Sequence, residues 1–321
     1  MRTFFAGEVL MRLECPDHKR FTQTDGFRIQ YTGAELNGAV TMHCMGADGL
    51  ELLTAVPDNA IGEAALNAAN HWGISTKYCV RKPGRLGTFY LEQGFGMRPS
   101  GVIYDRAGSA FALSQWADYG FGTLFREGDW LYVCGTMPAL NAEMTALTKR
   151  LFRTAKEQGA TVCFDLNYRS ALWSFEAASK VFAELLADVD ILTGNENLAK
   201  NALKTAPADL CRVFGLKAAA LTRRVETSAV ENLCSGVIHA ADGTVAESRE
   251  YQAQMLDRVG GGDAFSGAAV FGLQRGWTAE KTVEFAVAAM VLKQTMAGDF
   301  GLSTMKEIED FAAGAGVSVR R

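Results

Sequence analysis

From about residue 123 onward, short runs of consecutive apolar residues alternate with longer stretches of helical periodicity. The runs at 130–135, 161–166 and 189–193 are of strand length, and segments 141–158 and 175–187 repeat apolar residues at three- and four-residue intervals. That alternation predicts βαβ units and a parallel sheet. The run Trp130-Leu131-Tyr132-Val133-Cys134 is continuously apolar, which suits a strand covered by helices on both sides. The fold predicted is α/β, a doubly wound, mostly parallel sheet with helices on both faces. Two stretches break the pattern, because residues 12–32 and 85–106 mix aromatic, basic, Gly and Pro residues and read as short strands and loops. Within the second, 87–92 and 101–106 make a candidate hairpin, so these segments predict a small β lid over the sheet. No repeat, low-complexity tract or Ser/Pro-rich linker divides the chain, and residues 1–321 read as one α/β unit carrying that lid.

Composition narrows the class. Hydrophobic residues make up 48% of the 321 positions and charged ones 21%, with 6 prolines, which permits a large core and excludes a disordered chain. Lys plus Arg number 32 and Asp plus Glu 36, a net charge of −4 without any basic run. The footprint of a nucleic-acid binder is missing. The 7 cysteines are odd in number and form no C-x-x-C pair, so they read as reduced thiols rather than as zinc ligands or disulfides. The apolar run at 285–292 stops at Lys293, short of the roughly 20 residues needed to cross a bilayer. The first ten residues lack the form of a secretory signal. A cytoplasmic protein with no membrane and no nucleic-acid partner is expected.

The sharpest local feature is Asp257-Arg258-Val259-Gly260-Gly261-Gly262-Asp263-Ala264-Phe265, followed by a small, apolar run at 266–273. It reads as a glycine turn opening a buried helix. Successive glycines let the backbone approach a ligand, and the free N–H groups of a helix start, with the macrodipole behind them, suit phosphate oxygens. Asp263 would then stand where it can take a proton from an attacking hydroxyl; taken alone, the run fits equally well a turn with a capping Asp. The spacings G-x-x-x-x-G-K-[ST] and G-x-S-x-G are absent, as is a G-x-G-x-x-G between a first strand and helix, which leaves a nicotinamide oxidoreductase without its fingerprint. His18, His43, His71 and His239 are scattered and read as structural or surface residues.

Residues 257–267 resemble the signature D-x-x-G-x-G-D-x-F-x-x-G of the ribokinase-like (PfkB) carbohydrate kinases. The resemblance extends to Gly7-Glu8-Val9-Leu10-Met11-Arg12-Leu13, Thr32-Gly33-Ala34-Glu35-Leu36-Asn37, Tyr104-Asp105-Arg106 with Ser109-Ala110, Asp165-Leu166-Asn167-Tyr168-Arg169 and Gly298-Asp299-Phe300. The Tyr-Asp-Arg and Asp-x-Asn-x-Arg segments are most similar to the branch that acts on 2-keto-3-deoxy sugar acids. The resemblance implies ATP-dependent phosphorylation of the terminal (6-) hydroxyl of 2-keto-3-deoxygluconate, with Mg2+ bridging the ATP phosphates. Fructose, a galactonate-derived ketodeoxy acid, or a noncatalytic sugar-acid sensor on the same fold are the alternatives.

On that resemblance Asp263 is the base and Arg169 supports the transfer. Gly33, Glu35, Asn37 and Asp299 would line the sugar pocket, with Tyr90, Tyr104 and Arg106 coming down from the lid and Arg169 reaching the sugar. Arg106 could grip a carboxylate through charge-assisted bonds. Asn167, Gly260, Gly261, Gly262, Asn195 and Arg223 would face the ATP phosphates, and Asn195 and Glu196 would hold magnesium through water. The resemblance also implies a homodimer packed through the lids, and an interface around Leu91 and Val102 is expected. The sequence departs from the family pattern in three places. Leu198 stands where N-x-x-E has its Glu, 220–227 lacks the glycine of the turn near the nucleotide, and Gly261 replaces a common Ala.

Overall fold

The computed structural model describes residues 1–314. The chain begins with β1 (Thr3–Ala6), β2 (Leu10–Glu14), β3 (Arg28–Thr32), α1 (Ala34–Cys44), β4 (Leu50–Leu53), β5 (Ala55–Pro57), α2 (Ala60–His71), β6 (Val80–Lys82), β7 (Gly87–Glu92) and β8 (Gly101–Asp105). The alternating part follows as β9 (Trp130–Cys134), α3 (Ala142–Glu157), β10 (Thr161–Asp165), α4 (Phe175–Leu185), β11 (Ile191–Asn195), α5 (Glu196–Leu203), α6 (Leu210–Phe214) and β12 (Ala218–Glu226). Strands β13 (Glu231–Ala240), β14 (Val245–Glu247) and β15 (Tyr251–Gln254) precede α7 (Gly261–Gln274), α8 (Ala279–Gln294) and α9 (Met305–Ala312). Helix starts are set by side chains that accept orphan amides: Asn59 for α2, Asn141 for α3, Ser174 for α4 and Thr278 for α8.

The main sheet has nine strands in the order β14-β13-β12-β11-β10-β9-β1-β4, with β15 also on β13. Pairing is parallel from β4 through β12 and antiparallel from β12 to β13 and beyond. Successive residues of each central strand feed opposite cores, as the pleat requires. Phe5, Tyr132 and Cys163 face the side covered by α1, α7 and α8, whereas Phe4, Leu131 and Phe164 face α3 and α4. The doubly wound sheet expected from the sequence is the one observed.

Order reverses beside β1, which pairs with β4 on one edge and β9 on the other. Open α/β sheets bind ligands at such a switch, beyond the carboxyl ends of the strands. Helices α1 and α7 cross there at close range, since a Cβ on Gly267 would lie 2.9 Å from the Gly38 carbonyl oxygen. The small residues therefore decide which polar groups meet, and the first turn of α7 lands against Asn37. Phe265, in the same turn, is fully buried and anchors the helix; truncation to Ala would cost about 3–5 kcal/mol.

The lid is a four-stranded sheet, β3-β2-β7-β8. Strand β2 runs antiparallel to β3 and parallel to β7, and β7 pairs antiparallel with β8, as the hairpin reading expected. The register Phe89↔Tyr104, Tyr90↔Ile103 and Leu91↔Val102 sorts its side chains. Leu10, Phe89 and Leu91 form a small cluster with Tyr104 and Val259 on the inner side. The outer side leaves Ile29 60% and Ile103 56% exposed. Of the two residues named for the dimer patch, Leu91 is buried in the inner cluster, whereas Val102 is 41% exposed and lines the cavity described below. Its neighbours in register carry the outward apolar face.

Candidate active site

A cavity of about 460 Å3 opens between the sheet edge and the lid, large enough for a small polyol and part of a second ligand. Its floor is the first turn of α7. Gly260 adopts φ +81, and a Cβ there would fall 1.8 Å from the Asp299 carbonyl oxygen, so this turn accepts only glycine. At Gly262 a Cβ would meet nothing within 4 Å, because the position opens onto the cavity. The amides of Gly262 and Asp263 have no acceptor among the described residues, which makes an anion notch. Gly261 does not line it; it packs against Gln294 on the hidden side.

Asp263 stands beside the notch. Asn37 Nδ2 donates to its Oδ2 at 2.7 Å, and Asn167 Nδ2 to its Oδ1 at 3.2 Å. Burial pushes its carboxyl up to about 6, against the opposing effect of the Asn37 bond and with a further rise from the neighbouring Asp165. Such a group is ionised at neutral pH yet basic enough to accept a proton. Asn37 is itself held, because Thr32 Oγ1 lies 2.6 Å from Asn37 Oδ1 and 2.7 Å from Asp299 Oδ2; its single proton serves one of them at a time. Asp165 accepts from the Asn167 amide at 3.0 Å, from Ser266 at 2.9 Å and from Tyr132 at 3.3 Å, and burial raises its carboxyl too. Asn167 sits at φ +31 with a buried, unpartnered Oδ1. A backbone held in that unusual region, with an open acceptor beside the base, is a place where a ligand is expected.

Four arginines line the same cavity. Arg169 is exposed to it, and its guanidinium has no hydrogen-bond or ion-pair partner among the described residues. Arg224 is likewise unpaired, and burial, followed by the nearby charge of Arg258, lowers it from the usual guanidinium range. Arg258 pairs with Glu226. Arg106 also lines the wall, but its Nε is held by Glu8 at 2.6 Å in a buried pair, with Ser109 donating to the other Glu8 oxygen. Its two terminal nitrogens have no partner among the described residues, so the clamp orients the guanidinium instead of consuming it.

Gly33, Glu35, Asn37, Tyr104, Asn167, Asn195 and Asp299 also reach the cavity. Glu35 is less available than expected. Its carboxylate accepts the Cys134 amide at 2.9 Å against Gly7, and burial raises it to about 8. Asp299 is bound by Arg12, leaving it more a strut than a free ligand. Tyr90 does not reach the cavity. The pleat turns it to the outer face against Phe27, and Phe89 takes the inward position beside Tyr104.

Arg223 and Glu196 are corrected in the same way. Glu196 receives Arg223 Nε at 2.7 Å and Nη2 at 2.9 Å, while Nη1 reaches Glu247 at 2.9 Å. Neither lines the cavity, and the alternation of β12 gives that face to Thr222 and Arg224. Asn195 Oδ1 caps α5 on the Leu198 amide at 3.1 Å. Leu198 forms part of the wall, and no cluster of three or more acidic, His or Cys side chains among the described residues could cage a metal. These residues do not fit a resident magnesium site, so a divalent ion would arrive as part of the nucleotide substrate. Glu8, Arg12, Arg258 and Phe89 join the site residues expected from the sequence; strand alternation puts only one of Phe89 and Tyr90 inward without saying which.

The family model described as pfkB family carbohydrate kinase matches residues 3–304. The chain belongs to that family. It is therefore a carbohydrate kinase, a phosphotransferase with an alcohol acceptor, and the sensor and oxidoreductase alternatives fall. Kinases of the family use ATP with a divalent metal. A 2-dehydro-3-deoxygalactonokinase of Haloferax volcanii is 30% identical over 321 residues, covering 98% of each chain. The crystal structure of a 2-dehydro-3-deoxygluconokinase from Thermotoga maritima superposes with a TM-score of 0.92 at 35% identity, over 98% of this chain and 100% of that one. A PfkB family carbohydrate kinase from Listeria grayi gives 0.91 at 32% identity, over 98% and 100%. No helix among the described residues is long and apolar enough to cross a membrane.

Proposed function

We propose that this kinase phosphorylates the terminal (6-) hydroxyl of 2-keto-3-deoxygluconate with MgATP. The observation that carries the reading is the Asp263 carboxylate, held by Asn37 and Asn167 beside the open amides of Gly262 and Asp263, in a cavity whose free cations include Arg169 and the terminal nitrogens of Arg106. Asp263 takes the proton of the sugar hydroxyl as its oxygen attacks the γ-phosphorus. The new bond to the sugar oxygen forms while the bond from that phosphorus to the β–γ bridging oxygen breaks, and ADP departs with the electron pair. Phosphoryl transfer asks chiefly for positioning and charge neutralisation. The notch and Arg224 serve the nucleotide phosphates, Asn195 and Thr222 stand on that side, and Arg169 bridges toward the transferred group.

The sugar lies under the lid, with Gly33, Asn37 and Tyr104 against its hydroxyls and Arg106 toward its carboxylate. Closing the lid would exclude water, which otherwise competes for the phosphoryl group. The C4 epimer, 2-keto-3-deoxygalactonate, is the second reading, and the similarity to the Haloferax enzyme favours it. Two copies would pack through the outer lid faces, covering Ile29 and Ile103. ADP release measured with both epimers and with fructose tests the assignment; turnover of fructose as efficient as that of either acid would set it aside.

A further inference from the structure

Lys293 is the most unusual buried group outside the cavity. It ends α8 with no solvent exposure, and its Nζ donates to the Asp257 carbonyl oxygen at 3.0 Å. A methionine would fill the same space without the several kcal/mol that burying an ammonium costs, so the charge calls for an account. Burial lowers Lys293, with Asp257 and Asp299 offsetting part of that effect and Arg12 adding to it. The lysine stands behind the loop that opens α7. On the same side the Leu256 and Asp257 amides donate to the Gln294 carbonyl at 2.8 and 3.2 Å. The Asp257 carboxylate takes Arg12 Nη2 at 2.6 Å, the Gly298 amide at 3.1 Å and the Val259 amide at 3.0 Å.

The geometry follows from peptide planarity. Where a turn aims N–H groups into a cavity, carbonyls in the same turn face backward and need a donor behind them. We propose that Lys293 is the positioning residue of the anion notch: by holding the Asp257 carbonyl it fixes the peptide planes at 257–262, so that the amides opening α7 face incoming phosphates. It also puts a fixed positive charge behind them. The phosphate part of this inference rests on the kinase reading above; the loop part does not.

The test compares Lys293→Met, which keeps the volume, and Lys293→Gln, which keeps a donor without the charge, with Met290→Ala, a packing loss elsewhere on α8. Hydrogen exchange of the peptide spanning 256–262 should accelerate in Lys293→Met and not in Met290→Ala. The Kd for ATP should rise by about tenfold or more in both lysine variants, as expected for loss of a charge-assisted bond, with the Kd for the sugar acid within about twofold of the parent. In Lys293→Ala, millimolar methylammonium should restore part of the ATP affinity where tetramethylammonium at equal ionic strength does not. Unchanged exchange together with unchanged ATP affinity overturns the proposal, as does the same pattern from Met290→Ala. If the parent protein binds no ATP, the proposed MgATP reaction is what fails, and the exchange comparison still decides the role of Lys293 in the loop.

Discussion

Replacing Asp263 by Asn separates the chemistry of the site from its architecture. The carboxylate accepts from Asn37 and Asn167; an amide oxygen can keep the Asn37 bond, and its NH2 would then face the Asn167 NH2. Asn167 can answer by flipping, because its own Oδ1 is buried without a partner. The fold therefore has little to lose. It has something to gain, since Asp263 moves from 3.8 to about 6 on folding. A carboxyl raised in this way favours the fold below its unfolded value and loses that contribution as pH climbs through about 6. At neutral pH the ionised group burdens stability by about 3 kcal/mol. Asp263→Asn should keep or raise Tm in thermal melts at neutral pH, while kcat by coupled ADP release falls at least about 100-fold. In the parent, kcat/KM should decline as pH drops through about 6. Near-normal turnover in the variant would refute the base assignment, and a clear loss of Tm would refute the flip that accommodates it.

Arg106→Ala should raise KM for the sugar acid about tenfold or more while KM for ATP stays within about twofold, the signature of a lost charge-assisted bond to one substrate. Steady-state kinetics in both substrates check it, and equal effects would make Arg106 a strut for Glu8. Arg224→Gln should raise KM for ATP by about tenfold, whereas Arg223→Gln should leave kinetics near normal and lower Tm, because Arg223 spends its donors on Glu196 and Glu247. On the outer lid face, Ile103→Asp should shift a dimer toward monomer in sedimentation and weaken activity with it; a parent that sediments as a fully active monomer contradicts the lid interface.

Much of the fold was legible because its strands are buried on both faces and its helices are strongly periodic. The 130–135 and 161–166 runs became adjacent parallel strands; the end of the second carries Asp165 into the site, and the end of the first holds Glu35 through the Cys134 amide. The glycine turn was equally legible, since three glycines before an acid leave few conformational options. Facing was harder to read. Arg223 and Arg224 are chemically equivalent candidates, and Tyr90 has a hydroxyl that its neighbour Phe89 lacks, yet in both pairs the pleat decides which side chain enters the cavity. Glu196, expected to hold a metal, is instead taken by Arg223 of β12. Ionic contacts across long separations, such as Arg12 with Asp257 and Asp299 or Glu8 with Arg106, have no local pattern at all.

The central claim is the acceptor. Pure 2-keto-3-deoxygluconate, its galacto epimer and fructose should each be incubated with MgATP and the protein. ADP release would be followed alongside phosphorus–proton NMR of the product. The gluconate-derived acid should be turned over with the highest kcat/KM, and the new phosphate should couple to the C6 protons. A phosphate on any other carbon, or a kcat/KM for fructose that equals or exceeds that of both acids, would contradict that claim.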